Sequence, residues 1–212
     1  MTTTPTATAA VVDFIARARL ADFPAEALSL GKRCIVDSLG VMLAGSTQDA
    51  GRILHEHVQG VDTRTVATVF GPRPFKTGSA AAALVNGTAG HALDWDDTQL
   101  ATSADRIFGL LTHPSMPPLV AALAVGEPRR VSGTALLEAF LTGFEVECKI
   151  AEAIHPNHYK KGFHTSGTIG TFGAAVAAAK LLGLLLEFLQ VGHRLLAVKM
   201  ASGEQLEWQR CE

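Results

Sequence analysis

The chain has 212 residues, of which 48% are hydrophobic, 18% charged and only 6% aromatic, and its formal net charge is −2. This length suffices for one domain with a full core, and the excess of small over aromatic residues favours closely packed helices. Basic residues occur in pairs rather than in stripes, so we expect no nucleic-acid partner. No apolar run approaches the roughly 20 residues that a membrane span requires, so no membrane association is expected either.

The N-terminal residues and the cysteines indicate the cellular compartment. The first eight residues lack a basic region and an apolar region, so we expect no signal peptide and a cytoplasmic protein. The three cysteines, Cys34, Cys148 and Cys211, are odd in number and widely spaced. Because the first two fall on apolar helix faces, reduced thiols are favoured over a disulfide or a metal site.

Helical periodicity dominates the order of apolar residues along the chain. A first long helix is predicted with Pro24 in its first turn and Gly45 at its end. Its apolar face is formed by Leu28, Ile35, Leu39 and Met42. A second long helix is predicted after Ser132 as its N-cap. Its stripe is formed by Leu137, Phe140, Leu141, Phe144, Cys148 and Ala151. Further helices are predicted over residues 8–20, 48–59, 78–91, 114–126, 166–183 and 185–200.

Two segments depart from the helical pattern. Residues 63–70 are rich in β-branched side chains and precede a Gly-Pro turn, which predicts a short strand or an extended crossing segment. Residues 98–113 carry polar side chains, and a loop with a short helical piece is expected there. The sequence contains no fixed-period repeat and no low-complexity linker, so it is predicted to form one all-α unit.

Three carboxylates and an imidazole follow the helix that is predicted to end at residue 91. His91 and Asp94 are three residues apart and would share a helix face, with Asp97 three residues further on. A carboxylate beside an imidazole fixes its tautomer and raises its basicity, as around a general base. The same side chains would suit a divalent metal, although no His-Glu-x-x-His motif and no His-Asp dipeptide occur. A helix end with solvated acids is the remaining interpretation.

A second polar cluster precedes the helix predicted over residues 166–183. It contains His155, His158, Lys161, His164 and Thr165. Backbone N–H groups at a helix start bind anions, so a carboxylate substrate would suit this place, with His164 beside it as acid or base. The alternative is an ordinary capping run with surface histidines, which we favour for His155 and His158. The glycines that follow lack the spacing of a dinucleotide fingerprint and are expected to serve close helix packing.

A lone histidine, His113, opens another predicted helix, where a structural role is the more common one. Three separated motifs occur in order, and they are Asn86-Gly-Thr-Ala-Gly-His91-Ala-Leu-Asp94-Trp-Asp96-Asp97-Thr98, His113-Pro-Ser and Gly162-Phe-His164-Thr-Ser-Gly-Thr-Ile-Gly-Thr-Phe-Gly. This combination resembles the MmgE/PrpD family, which includes 2-methylcitrate dehydratase, cis-aconitate decarboxylase and iminodisuccinate epimerase. The resemblance covers roughly residues 10–183.

The resemblance implies an all-α fold, the front part of a helical domain that in the family carries a smaller α+β lid, and a homodimer. It also implies a lyase or isomerase without metal or organic cofactor. Such enzymes act on small di- and tricarboxylic acids by proton transfer at the carbon next to a carboxylate. Carried over by motif, Asp94 and Thr98 would contact the substrate.

The resemblance assigns further roles to the histidines. His113 and His164 would be the acid/base and carboxylate-binding residues, so that His113, His164 and Asp94 form the catalytic set. His91 and Asp97 would support them, with His91 also close enough to bind substrate. Lys161 and Thr165, which precede the last predicted helix, complete the expected substrate-binding residues.

Two departures from the family pattern modify these expectations. The segment between Thr98 and His113 is longer than in the dehydratases and decarboxylases, which leaves the substrate open. Residues 184–212 diverge from the family and residues 1–9 are expected to be flexible, so the chain resembles a truncated member without the lid and without a later active-site lysine. Loss of such a preorganised cation costs a factor of roughly a hundred or more in rate. We therefore expect weak or no activity.

Two alternatives to an enzyme of this family stay open. One is a non-catalytic helical fragment, or a partner of a full-length paralogue, and an exposed apolar surface would favour it. The other is a metal-dependent hydrolase that uses His91, Asp94 and Asp97 as ligands.

Overall fold

The structure is a computed structural model that describes residues 7–99 and 112–184. Its elements in chain order are α1 (Ala7–Arg17), a short 3-10 turn (Leu20–Asp22), α2 (Ala25–Gly45), α3 (Asp49–Val61), β1 (Ala67–Val69), β2 (Phe75–Thr77), α4 (Ser79–His91), α5 (Met116–Arg129), α6 (Gly133–Ile154), α7 (Asn157–Lys160) and α8 (Thr165–Leu182). The predicted helical fold class is confirmed. Within the described residues, no helix is long and apolar enough to cross a membrane.

The predicted helices correspond closely to the observed ones. Those predicted over 8–20, 48–59, 78–91, 114–126 and 166–183 are α1, α3, α4, α5 and α8. Ser132 caps α6 as predicted, because its hydroxyl oxygen accepts a bond of 3.1 Å from the Ala135 amide. Pro24 is the N-cap of α2 rather than a residue of its first turn. The helix predicted over 185–200, and residues 100–111 of the expected loop, lie outside the described residues.

The extended segment forms a strand, as predicted, and it belongs to an antiparallel hairpin in which Ala67 of β1 faces Thr77 of β2. The side-chain amide of Asn86 on α4 accepts from the Phe70 amide and donates to the Thr68 carbonyl, both over 2.9 Å. The buried side of β1 packs on Val85 of the same helix. The hairpin therefore fixes α4, whose last residue carries the first candidate histidine.

The principal core lies between α2, α5 and α6, where Met42, Leu119 and Phe140 are fully buried. Helices α6 and α8 cross with their backbones in contact, since a Cβ atom on Gly143 would lie 2.5 Å from the Gly173 carbonyl oxygen. Gly170 and Gly173 of α8 serve close helix packing, as predicted, whereas Gly167 has only the His164 ring near it. A Cβ atom on Gly170 would lie 2.6 Å from Pro117, so the start of α8 lies beside the start of α5.

Two of the three cysteines lie within the described residues, and no disulfide joins them. Cys34 is half-buried on α2, and Cys148 is buried on α6. Cys211 lies outside the described residues.

Candidate active site

Three histidines from distant parts of the chain meet at one end of the helices. His91 is the last residue of α4, His113 lies just before the N-cap of α5, and His164 is the N-cap of α8. The ring centroids of His91 and His113 are 4.8 Å apart, and those of His91 and His164 are 5.5 Å apart. The fold thus brings the three motifs of the sequence into one cluster.

Asp96 contacts two of these imidazoles, one through its carboxylate and the other through its main-chain carbonyl. Its side chain is only 1% exposed, and both of its carboxylate oxygens lie 3.0 Å from Nδ1 of His91. Nδ1 of His113 lies 3.2 Å from the Asp96 carbonyl oxygen and 3.4 Å from Oδ1. Carboxylate and carbonyl oxygens only accept hydrogen bonds, so both Nδ1 atoms must carry the hydrogen. The Nε2 atoms are therefore the ones left to exchange protons with a substrate.

Asp94 lies on the Nε2 side of the His113 ring, opposite Asp96. Helix α4 ends at His91, and Asp94 follows in a left-handed conformation with φ 55°, a region that Asp tolerates better than most residues. The prediction that Asp94 shares a helix face with His91 is therefore wrong. Its exposed carboxylate instead places Oδ1 3.4 Å from Nε2 of His113. A proton between these two atoms can pass to a bound molecule, as general acid–base catalysis requires.

Asp97 ties the loop to α5 instead of facing His91. One carboxylate oxygen accepts from the Ser115 amide over 3.2 Å, and the other accepts from the Ser115 hydroxyl over 2.7 Å. Burial and the charge of Asp96 raise the pKa of Asp97, and the Ser115 hydrogen bonds oppose that rise. Asp97 therefore holds His113 indirectly, through the segment that begins α5.

The metal-ligand set expected from the sequence also changes. Among residues 7–99 and 112–184, one group could surround an ion, namely His91, Asp94, Asp96 and His113, which offer ligand atoms within 4.8 Å of one another. Asp96 takes the place expected for Asp97, because the chain turns after α4 rather than continuing as a helix. Imidazole and carboxylate donors of this kind suit a divalent transition metal.

The segment before α8 forms the opposite side of the site. Ser166 accepts a bond of 2.8 Å from the His113 backbone amide, which joins α8 to the first side. Thr165 is buried, and its hydroxyl lies 3.2 Å from Nε2 of His155. The His164 side chain makes no capping bond to its helix. Lys161 and Thr98 have exposed side chains.

His155 and His158 differ from the expected surface histidines. Both are half-buried, and Nε2 of His158 lies 2.7 Å from the Thr168 hydroxyl. Burial, and to a smaller extent His158, lower the pKa of His155. These two histidines brace the turn before α8 against its first helical residues.

Comparison with known proteins identifies a matching family model and several similar proteins. The model of the MmgE/PrpD N-terminal domain matches residues 9–190. The chain belongs to the MmgE/PrpD family. Cis-aconitate decarboxylase of Homo sapiens is 36% identical over 158 residues, which cover 72% of this chain and 31% of that protein. The Mus musculus enzyme of the same name is 35% identical over 160 residues, with 73% and 31% covered.

A more distant relative shows the same partial coverage. The cis-aconitate decarboxylase-like protein oryM of Aspergillus oryzae is 28% identical over 182 residues, which cover 84% of this chain and 36% of that protein. The chain thus spans about a third of the length of these MmgE/PrpD relatives. The family that the three motifs indicated is confirmed.

Sequence reasoning missed two of the residues that organise this MmgE/PrpD site. Asp96 stands inside the first motif, but the assumption of a continuing helix directed attention to Asp94 and Asp97. Ser166 was treated as part of a capping run, although its hydroxyl accepts from His113. To identify Asp96 from the sequence, a turn immediately after His91 would have had to be predicted. The residues that follow α4 do not predict one.

Proposed function

We propose that this chain carries a cofactor-free proton-transfer site for a small di- or tricarboxylic acid, of the kind found in lyases and isomerases. One observation carries the proposal. His113 lies between the buried Asp96 on its Nδ1 side and the exposed Asp94 at 3.4 Å from Nε2. Membership of a family with relatives named cis-aconitate decarboxylase makes cis-aconitate the first substrate to test.

In the proposed mechanism, Nε2 of His113 exchanges a proton with the carbon next to a substrate carboxylate. In an elimination or an epimerisation, the neutral imidazole removes that proton and the electron pair of the C–H bond passes into an enolate. In the elimination the enolate then expels the β-hydroxyl group, which leaves as water with the proton of the imidazolium. In the epimerisation the enolate takes a proton on its opposite face, and the imidazolium releases its own proton to solvent. In a decarboxylation, the bond to the departing CO2 breaks, and the imidazolium protonates the carbon that keeps the electron pair. Asp94 accepts a hydrogen bond from the Nε2–H of the imidazolium when it forms, and Asp96 keeps the ring oriented.

The opposite side of the site would bind the carboxylates of the substrate. His164 stands at the start of α8, where the helix dipole favours negative charge. We assign His164 and the backbone amide of Thr165 to one carboxylate, and His91, Lys161 and Thr98 to the others. The buried Thr165 hydroxyl stays with His155, so its contribution is through the backbone.

The proposal is tested by following solvent deuterium into the substrate. The 212-residue chain is incubated in D2O with cis-aconitate, and separately with 2-methylcitrate, citrate and iminodisuccinate, and proton NMR follows exchange and turnover. We expect exchange that His164→Ala abolishes. His57→Ala, which alters an exposed histidine of α3, should leave the exchange unchanged.

Two other outcomes would point to different functions. A folded chain that exchanges none of the four acids would favour a non-catalytic helical fragment, or a partner of a full-length paralogue. Bound metal in the purified protein and activity that a chelator abolishes would favour a metal-dependent hydrolase. The ligand set of His91, Asp94, Asp96 and His113 is the observation that keeps this second function in view.

Assembly and location remain proposals that rest on the family. We propose that the chain forms a homodimer and works in the cytoplasm. Sedimentation velocity should give twice the chain mass, and a fluorescent fusion should distribute through the cytoplasm. A monomer at micromolar concentration would contradict the first proposal, and an exported fusion would contradict the second.

A further inference from the structure

A buried carboxyl group that the proposed mechanism does not use contacts Thr112, the residue before His113. The Glu147 side chain on α6 is 0% exposed, and its Oε1 accepts a bond of 3.0 Å from the Thr112 hydroxyl. Its other oxygen, Oε2, has no hydrogen-bond partner among the described residues. A buried acid is costly to keep, so its retention in an apolar helix crossing calls for a reason.

The surroundings of Glu147 favour its neutral form. Gly173 of α8 leaves the space that Oε2 occupies, and Gly170 lies beside Oε1 with Pro117 of α5 next to it. Burial raises the pKa of Glu147 to about 8, while the Thr112 hydrogen bond lowers it and the charge of Asp97 raises it further. The glycines and the proline bring no charge, so Asp97 is the ionisable neighbour whose charge acts on the group.

Thr112 is the residue at which two parts of the site join. Its carbonyl oxygen accepts a bond of 3.1 Å from the Gln99 amide, and Gln99 directly follows Thr98. The next residue along the chain is His113. The Thr112 side chain is fully buried, so any shift of this residue moves the backbone on both sides of it.

We propose that Glu147 is a positioning residue, which anchors Thr112 and thereby sets His113 and Thr98 relative to one another. The inference rests on the proposed function of His113. An apolar side chain in place of Glu147 would leave the Thr112 hydroxyl without its acceptor, whereas glutamine keeps a carbonyl oxygen in the same place. The positioning role requires that the side chain of residue 147 accept the Thr112 hydrogen bond, and it does not require that this side chain carry a charge.

The test uses two matched pairs of variants in the 212-residue chain. Glu147→Gln and Thr112→Ser keep the hydrogen bond, and Glu147→Leu and Thr112→Val remove it at similar volume. Thr142→Val is the control, because it removes another buried hydroxyl bond, from Thr142 to the Glu138 carbonyl of α6. Each variant is examined by thermal unfolding, by the NMR shifts of the His113 ring and the Thr98 amide, and by deuterium exchange into cis-aconitate.

We expect the two conservative variants to keep the His113 and Thr98 shifts and to exchange at nearly the wild-type rate. Glu147→Leu and Thr112→Val should move both shifts and slow exchange roughly tenfold to a hundredfold, as displaced catalytic groups do. The double variant should lose no more than either single one, because the two residues act as a unit.

Two results would overturn the inference. Unchanged His113 and Thr98 shifts in folded Glu147→Leu and Thr112→Val would show that the bond positions nothing. Equal changes in Thr142→Val would show a general effect of losing a buried hydroxyl. If the wild type exchanges no substrate while the shifts move as expected, the proposed function fails and the positioning role stands.

Discussion

The two sides of the candidate site are built differently. On the first side, residues 91–97 and 112–115, the polar side chains are hydrogen-bonded within the fold. The Asp96 carboxylate bonds His91, the Asp96 main-chain carbonyl bonds His113, and the Asp97 carboxylate bonds Ser115. On the second side, residues 155–168, the outward groups stay exposed, and His164 does not cap its own helix. Under the proposed function, the first side is the one that moves a proton and the second side is the one that receives the anion.

This contrast has energetic consequences. Groups that are buried and hydrogen-bonded contribute to both stability and reactivity, so their substitution should reduce both. Exposed groups that meet only the substrate should affect binding and leave the unfolding free energy nearly unchanged. The following substitutions test whether the two sides separate in this way.

The largest effect is expected for Asp96→Asn on the first side. The amide presents a donor where Nδ1 of His91 needs an acceptor, so the tautomer of His91 is no longer fixed, and the substitution removes the carboxylate charge 3.4 Å from Nδ1 of His113. By analogy with the carboxylate–histidine pair of serine proteases, exchange should slow by a factor on the order of 10²–10⁴. The free energy of unfolding should fall by about 1–3 kcal/mol. Deuterium exchange and urea unfolding measure the two, and Asp49→Asn on exposed α3 is the control. A fully active Asp96→Asn would remove the distinction between the sides.

The second effect concerns the pH dependence of stability. Glu147 has a folded-state pKa of about 8 against an ordinary value of 4.5, so the folded chain holds a proton that the unfolded chain releases. Its contribution to stability is full below pH 4.5 and is lost as pH rises to 8. Relative to Glu147→Gln, the wild type should lose up to about 1.4 kcal/mol per pH unit in this window.

Urea unfolding of both chains at several pH values measures this difference. Two parallel curves between pH 5 and 8 would show that Glu147 ionises in the folded chain at its ordinary pKa. They would also contradict the description of the group as a neutral acid beneath the first side.

A third substitution addresses the helix crossing that supports both sides. Gly173→Ala would place a Cβ atom against Oε2 of Glu147 and 3.2 Å from the Gly143 carbonyl oxygen. Overpacking of this kind should lower the unfolding free energy by about 1–3 kcal/mol. Gly40→Ala on α2 meets open space and should raise it by about 0.5–1 kcal/mol. Thermal unfolding of the two variants should therefore shift in opposite directions, and a shared direction would contradict the tight crossing.

The smallest effect is expected for Lys161→Ala on the second side. The exposed ammonium should contribute about 0.2–1 kcal/mol to binding of an anion, less than about fivefold in affinity. The unfolding free energy should change by less than about 0.5 kcal/mol. Titration with cis-aconitate at low and high salt measures the affinity, and the difference between the variants should shrink as salt screens the charge. A large loss of stability would mean that the Lys161 side chain packs within the fold, which would contradict the description of the second side as exposed.

The sequence predicted most helices, because their apolar residues recur at helical spacing and their ends carry recognisable caps such as Ser132. It did not predict β2, since three residues are too few for an alternating pattern to be visible. The crossing of α6 and α8 was foreseen only as close packing by glycines, because the partner of a small residue depends on the tertiary fold.

The sequence predicted which motifs form the site, but it did not predict how their side chains are arranged. His91 and His164 were candidates from the residue pattern itself, His113 became one through the family resemblance, and the structure brings the three rings together. The role of Asp96 required knowing that α4 ends at His91 and that Asp94 turns away with positive φ. Glu147 escaped notice because a glutamate within an apolar stripe ordinarily marks a surface position, and only its burial shows otherwise.

The central claim is that His113, held by Asp96 and paired with Asp94, moves a proton at the carbon next to a carboxylate. The most direct measurement is the rate at which solvent deuterium enters cis-aconitate, or the product of its decarboxylation, in the presence of the wild-type chain and of folded His113→Ala. We expect incorporation by the wild type and a loss on the order of a hundredfold or more in the variant. Equal incorporation by the two chains, or none by a folded wild type that binds the acid, would contradict the claim.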